Sequence, residues 1–186
     1  MIEREKKVLL TNQEYETILN LYGGGVSTAV QVNHYYDTKD LGMNEKRITC
    51  RVRESNGKLR ATLKAHGNDG PSDNSMETDM GYVSNVKQNC FTDMGLLLHG
   101  TLVTYRTILL KNAAFEMVLD RNEYMGHTDF ELEIEYVEGC ESGAQDVLNS
   151  LMQRLGVYDK VGKYRDCKSK SERFFERRRL YDVDSQ

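Results

Sequence analysis

Hydrophobic and polar residues alternate along several segments of the chain, as they do in β-strands with two chemically different faces. The clearest segment is residues 128–136, where Phe, Leu, Ile and Tyr share one face and three glutamates share the other. An Asn-Gly turn at residues 55–57 predicts a hairpin. Strands are predicted at residues 2–10, 30–37, 46–54, 58–65, 76–83, 102–110, 113–123 and 128–136.

Helical periodicity is found in fewer places. Thr11 and Glu14 have the spacing of a capping box, and the glycines at 23–25 end the helix that follows. Three further helices are predicted at about 84–98, 141–155 and 168–180. Strands interspersed with helices, without a regular βαβ order, predict an antiparallel α+β fold. With no repeat or linker, we expect one domain over residues 1–180 and a short tail at 181–186.

Composition narrows the class of protein. The chain has 186 residues, 39% of them hydrophobic, and no apolar run near the roughly 20 residues of a membrane span. Its net charge of −4 gives no reason to expect a nucleic acid partner, and the absence of such an apolar run gives none to expect a membrane partner. The four cysteines are far apart, which favours a reducing compartment over a disulfide framework. We therefore expect a cytoplasmic protein, and the sequence leaves open whether it is a monomer or homodimer.

The polar faces of the predicted strands are segregated by charge. Carboxylates occupy the first strand and the 128–136 strand, whereas cations occupy the 46–54 and 58–65 strands, and Asp120 ends an apolar strand. A sheet with one wet face would explain a single alternating strand, but it would mix the two signs. The segregation favours a curled sheet that encloses its charged face. Carboxylates there suit a divalent cation, and Arg and Lys suit phosphate oxygens.

A series of short motifs, spread along the chain from residue 3 to residue 170, extends this hypothesis. The series consists of Glu3-Arg4-Glu5-Lys6-Lys7, Tyr35-Tyr36-Asp37-Thr38, Arg51-Val52-Arg53, Thr62-Leu63-Lys64, Glu77, Tyr105-Arg106, Leu119-Asp120, the three glutamates Glu131, Glu133 and Glu135, and Lys170. Together they resemble the CYTH domain, or triphosphate tunnel metalloenzyme, superfamily, which includes thiamine triphosphatases and class IV adenylate cyclases. The spacing is most similar to that of the small bacterial members.

The resemblance implies a closed tunnel of eight antiparallel strands with a charged interior, helices packed outside and ends open to solvent. It also implies hydrolysis of a triphosphate with Mg²⁺ or Mn²⁺. The implied metal ligands are Glu3, Glu5, Asp120, Glu133 and Glu135. The implied triphosphate-binding residues are Lys7, Arg51, Arg53, Lys64, Arg106 and Lys170, with Lys7, Arg53 and Lys64 taken as catalytic. Glu77 and Glu131 are further tunnel residues, with Glu131 expected nearer an opening.

Several functions remain open within this hypothesis. The substrate is inorganic tripolyphosphate or a nucleoside triphosphate, with thiamine triphosphate as a close alternative. An adenylate cyclase acting on ATP, or a binder of polyphosphate or nucleotides without catalysis, would use the same tunnel. The basic residues 173–179 are interpreted as a solvated helix face rather than an RNA-binding surface.

Overall fold

The computed structural model describes residues 2–66, 74–156 and 168–184. Within these ranges the chain forms eight strands and five helices. In order they are β1 (Ile2–Leu10), α1 (Asn12–Leu21), β2 (Ser27–Asp37), α2 (Gly42–Glu45), β3 (Ile48–Ser55), β4 (Lys58–His66), β5 (Asn74–Tyr82), α3 (Cys90–Asp93), β6 (Leu97–Lys111), β7 (Phe115–Tyr124), β8 (His127–Tyr136), α4 (Glu141–Leu155) and α5 (Lys170–Asp184).

The strands form one closed antiparallel barrel. Its order is β1-β5-β4-β3-β2-β6-β7-β8, and β8 pairs with β1 to complete the ring. Closure leaves no strand edge exposed, which removes the usual site of edge-to-edge aggregation. The predicted α+β class and the predicted eight-stranded antiparallel tunnel are both confirmed.

Helices α1 and α4 cover the outside of the barrel over β1, β7 and β8. Apolar side chains from both layers meet in one core, in which Val8, Ile18, Leu132 and Met152 are fully buried. The predicted capping box begins α1, since the Glu14 amide donates to the Thr11 hydroxyl at 3.3 Å. These contacts occupy the outer faces of the strands and leave their charged faces inside.

Helix α5 lies across one end of the barrel. Phe174 and Phe175 are buried there against Tyr35, Leu102 and Tyr124. The Phe174 ring centroid is 4.9 Å from that of Tyr35. The expectation that the ends of the tunnel are open to solvent is therefore wrong for this end, because α5 packs into it.

The prediction of a helix at about 84–98 is wrong for most of that segment. Only α3 is helical there, because the Asn89 side chain accepts from the Phe91 amide at 3.0 Å and begins the helix late. Gly95, at φ +81°, turns the chain out of the helix, and β6 starts at Leu97. Most of the predicted loop at residues 66–75 lies outside the described residues.

The predicted helices at 141–155 and 168–180 correspond to α4 and α5. Helix α5 begins at Lys170 and continues to Asp184, through the boundary drawn at residue 180. Among the helices of the described ranges, none is long and apolar enough to cross a membrane.

Candidate functional site

Strand alternation turns the predicted site residues into the barrel. On β8, Leu132 and Ile134 belong to the outer core, so Glu131, Glu133 and Glu135 face inward. On the neighbouring strand β1, Lys7 pairs with Glu133 and Glu5 pairs with Glu135. Because paired residues of adjacent strands lie on the same face of the sheet, Glu5 and Lys7 also face inward. Carboxylates therefore line neighbouring strands of the wall.

Eleven of the thirteen residues predicted from the sequence line a single internal cavity. Strands β1, β3, β4, β5, β6 and β8 supply ten of them, and α5 supplies the last. They are Glu3, Glu5, Lys7, Arg51, Arg53, Lys64, Glu77, Arg106, Glu133, Glu135 and Lys170. The other two, Asp120 and Glu131, are fully buried and contact Lys170.

Three carboxylates converge at the deep side of this cavity. Asp120, Glu131 and Glu133 each offer an oxygen, and these oxygens all lie within 4.8 Å of one another. We call these residues the inner trio. The register of the sheet brings them together, since Asp120 on β7 pairs with Glu131 on β8. The expectation that Glu131 lies nearer an opening is wrong, because its side chain is 0% exposed.

The first turn of α5 supplies cations to the inner trio. The Lys170 ammonium lies 2.9 Å from an Asp120 oxygen and 2.7 Å from a Glu133 oxygen, and it also contacts Glu131. Arg173 donates to Glu131 at 2.6 Å and to Asp129 at 2.9 Å. Helix α5 thus joins the carboxylates instead of packing only on apolar residues.

Arg173 was missed as a site residue by the sequence interpretation. Its side chain is 9% exposed, so the solvated helix face expected for residues 173–179 does not include it. Its position carried a usable signal, because a residue three after Lys170 falls on the same side of a helix. Asp129, its partner on β8, continues the inward alternation of Glu131 and Glu133.

A second group of ion pairs lies farther along the cavity, away from α5. The Lys64 ammonium is 2.7 Å from Glu3 and 3.5 Å from Glu5, and Lys7 donates to Glu5 at 2.7 Å. A further pair joins Arg51 and Glu77 at 3.1 Å between β3 and β5. Every one of these pairs connects an inward-facing anion with an inward-facing cation.

Arg106 connects the two groups of ion pairs. Its guanidinium lies 2.7 Å from Asp120 and 3.3 Å from Glu135, and it also contacts Glu133. These carboxylates hold the pKa of Arg106 well above its usual value, although burial acts in the opposite direction. The guanidinium is therefore a permanent cation at the centre of the site.

Burial and neighbouring charges perturb the acids in opposite directions. Burial raises the pKa of Glu133 to about 7, and the nearby charges of Glu5 and Asp120 add to the effect. Burial also acts on Asp120, but Lys170 and Arg106 outweigh it and lower its pKa to about 2. Such divergent shifts within one enclosed site are typical of functional sites.

The inner trio has the chemistry of a divalent cation site. All of its donors are carboxylate oxygens, which Mg²⁺ and Mn²⁺ prefer, and their convergence lets one ion contact all three. Of the five metal ligands predicted from the sequence, Asp120 and Glu133 belong to this trio. Glu3, Glu5 and Glu135 lie outside the trio, and their assignment as ligands stays a prediction.

Comparisons with known proteins agree with this architecture. A model of the CYTH domain family matches residues 1–160. The Bacillus subtilis protein named "Putative triphosphatase YjbK" is 28% identical over an alignment of 191 positions, which covers 96% of each chain.

Two solved structures share the fold. A Bacillus halodurans protein described as a "putative adenylate cyclase" has a TM-score of 0.70 at 20% identity, covering 93% of this chain and 97% of that one. A Hippeastrum protein described as a "putative adenylyl cyclase" with a dominant triphosphatase activity has a TM-score of 0.69 at 16% identity, covering 94% and 95%. With its eight-stranded tunnel and a family model that matches most of its length, the chain belongs to the CYTH domain family.

Proposed function

We propose that this protein hydrolyses a triphosphate, either inorganic tripolyphosphate or a nucleoside triphosphate, with Mg²⁺ or Mn²⁺. One observation carries the proposal: inward-facing cations and a buried carboxylate trio share a single tunnel. The name of the Bacillus subtilis relative and the activity stated for the Hippeastrum protein agree with it. The proposal requires no nucleic acid or membrane partner, and a monomer or homodimer would suffice.

The cationic side of the tunnel suits a chain of phosphates. Arg51 and Arg53 project from β3 beside Lys64 of β4. Burial, together with the charges of Arg51 and Arg106, lowers the pKa of Arg53. An anion placed between these groups would relieve that unfavourable electrostatic environment. Guanidinium groups also bind phosphate oxygens through two parallel hydrogen bonds, which holds the phosphate in one orientation.

The chemistry follows from this positioning. A divalent cation held by the inner trio, when bound, supplies charge neutralisation at the phosphate oxygens and activation of water. Arg53, Lys64 and Arg106 would hold the phosphate oxygens as charge develops on them. Water attacks the terminal phosphorus and loses a proton to solvent, and the bond from that phosphorus to its bridging oxygen breaks. The products are phosphate and diphosphate from tripolyphosphate, or phosphate and a nucleoside diphosphate from a nucleoside triphosphate. Phosphoryl transfer of this kind needs positioning and charge stabilisation, and it needs no covalent nucleophile.

The test is an activity panel with the full-length protein. Tripolyphosphate, ATP and thiamine triphosphate are incubated with Mg²⁺, with Mn²⁺ and with a chelator. We expect metal-dependent release of phosphate from at least one of them. Cyclic AMP with diphosphate from ATP would instead identify a cyclase. A rise in Tm on adding ligand, without any product, would identify a binding protein.

Carboxylate variants connect that activity to the tunnel. We expect Glu133→Gln and Glu5→Gln to lower metal-dependent turnover by about 100-fold or more, because each replaces an anion in the acidic wall. Glu141→Gln is the matched control, since Glu141 pairs with Lys6 at 3.1 Å on the outer side of β1. Circular dichroism and Tm measurements check folding. Unchanged turnover in both tunnel variants would refute the assignment of this wall.

A further inference from the structure

Strand β5 contains a bulge near the end of the tunnel opposite α5. Thr62 of β4 pairs with Asp79, but Arg60, two residues earlier on β4, pairs with Tyr82, three residues after Asp79. The extra residue shifts the alternation of β5, so that Tyr82 joins the face that carries Asp79. Gly81, at φ +91°, adopts the backbone conformation that this shift requires.

Polar groups hold the bulge and surround the Tyr82 ring. The Asp79 carboxylate accepts from the Gly81 amide at 3.0 Å and from Arg60 Nε at 2.9 Å. The Arg60 guanidinium carbon lies 5.6 Å from the Tyr82 ring centroid, and the Lys58 ammonium nitrogen lies 5.9 Å from it. We call Lys58, Arg60, Asp79 and Tyr82 the mouth cluster.

The mouth cluster lines a cavity that continues from the tunnel. This cavity has a volume of about 590 Å³, and Arg51, Arg53 and Glu77 line both it and the tunnel interior. Its volume is within the range typical of small-molecule sites. Tyr82 is 67% exposed, although it is a large aromatic residue at the rim of a polar cavity.

We propose that Tyr82 is a specificity-determining residue that stacks on an aromatic heterocycle attached to the triphosphate, as in a nucleoside triphosphate. The inference rests on the proposed function, because a terminal phosphate directed toward the inner trio leaves the opposite end of the substrate at the mouth cluster. Lys58 places positive charge where the first phosphate and its ester oxygen would emerge, whereas the charge of Arg60 is paired with Asp79. An aromatic face there favours a heterocycle over a bare phosphate chain.

Another tyrosine provides a matched control. Tyr105 also lies beneath a guanidinium, with the Arg121 carbon 4.3 Å from its ring centroid. Its strand neighbour Arg106 faces the tunnel, so alternation puts Tyr105 on the outer side of β6. It therefore has the same surface chemistry as Tyr82 without access to the substrate.

The experiment compares Tyr82→Ala, Tyr82→Phe and Tyr105→Ala, with ATP and tripolyphosphate as separate substrates. Tyr82→Ala is expected to raise the KM for ATP on the order of tenfold, the effect of losing one stacked base. Its KM for tripolyphosphate should stay within about twofold of wild type, because that substrate has no ring. Tyr82→Phe keeps the aromatic face and should behave as wild type, as should Tyr105→Ala.

The outcomes separate this proposal from the proposed function. The role of Tyr82 would be overturned if Tyr82→Ala changed the KM for both substrates equally or changed neither. It would also be overturned if the wild-type protein hydrolysed tripolyphosphate but did not bind ATP. Absence of hydrolysis of both substrates would overturn the proposed function alone. Calorimetric titration with ATP then tests Tyr82 directly, and equal affinity of wild type and Tyr82→Ala would reject it.

Discussion

Two arginines inside the tunnel have opposite electrostatic surroundings. Arg106 contacts three carboxylates, those of Asp120, Glu133 and Glu135. Arg53 donates to the amide oxygen of Asn33 at 2.8 Å and, within the described part of the chain, forms no ion pair with a carboxylate. The same type of side chain thus pairs with two members of the inner trio and with Glu135 at one position, and at the other it has no carboxylate at ion-pair distance within the described residues.

This contrast predicts that methionine at position 53 mainly weakens substrate binding, whereas methionine at position 106 lowers the free energy of unfolding. Arg53→Met should leave the free energy of unfolding within about 1 kcal/mol of wild type, because the lost cation was already disfavoured. It should raise the KM for triphosphate by about 10- to 100-fold through loss of a charge-assisted hydrogen bond. Arg106→Met should destabilise the protein by about 3 kcal/mol, because it leaves buried carboxylates unpaired.

Chemical denaturation and steady-state kinetics of both variants check this prediction. A normal KM in Arg53→Met would contradict its role in binding phosphate. Equal loss of stability in the two variants would contradict the electrostatic difference between the two sites.

The sequence predicts which residues face the tunnel better than it predicts their partners. Alternation is a local property, so the inward positions of Glu3, Glu5 and Glu133 follow directly from strand periodicity. The pairing of Arg173 with Glu131 depends instead on where α5 crosses the barrel, which no local pattern encodes. The burial of Glu131 has the same origin, and its depth could not be predicted from the glutamate repeat.

At the scale of elements, α5 both covers one end of the tunnel and places Lys170 against the inner trio. Phe174 anchors it, with a side chain that is 0% exposed and packs against Tyr35. The absence of a side chain at Gly100 permits this contact, because a Cβ there would lie only 3.0 Å from the Phe174 ring. The anchor sets the position of Lys170, one turn earlier on the helix.

Removal of the Phe174 ring tests this coupling between packing and site. Phe174→Ala should destabilise the protein by about 3–5 kcal/mol, the cost of emptying a fully buried aromatic position. It should also lower turnover, because Lys170 loses its fixed position beside the inner trio. Leu180→Ala on the same helix is the control, since Leu180 is 58% exposed. Urea denaturation and turnover of both variants provide the measurement, and equal stabilities would contradict the anchor.

Long regular elements were predictable, whereas interruptions were not. The strong alternation of β8 and the capping box of α1 come from residues near each other in the chain. The prediction of a long helix before β6 was wrong because the Asn89 side chain begins a short helix there and Gly95 turns the chain out of it. The bulge that redirects Tyr82 arises from pairing between β4 and β5, and it is absent from either strand read alone.

At the scale of the whole molecule, the tunnel is close to electroneutral without a ligand. Its thirteen predicted residues comprise seven carboxylates and six cations, and most of them are already joined in ion pairs. The space left among the lining side chains is only about 70 Å³. In the proposed function, a metal ion and a triphosphate would therefore have to separate these internal pairs in order to bind.

Separation of the pairs predicts cooperative binding of metal and triphosphate. A cation taken up by the carboxylates releases Lys and Arg for phosphate, and a bound anion releases the carboxylates in turn. We expect each ligand to tighten the affinity for the other by about 5- to 150-fold, the usual range of coupling between sites. Tm is measured with Mg²⁺ alone, with a non-hydrolysable triphosphate analogue alone, and with both. Shifts that merely add would contradict the coupling.

The helix across the inner end also affects how products leave. In the described part of the chain, α5 obstructs passage through that end, so a linear substrate that enters past Tyr82 cannot thread through. If the protein hydrolyses a triphosphate as proposed, its products would have to leave by the route of entry, against incoming substrate. The later of the two products to depart would occupy the path that the next substrate molecule needs, so the proposed activity should show competitive product inhibition.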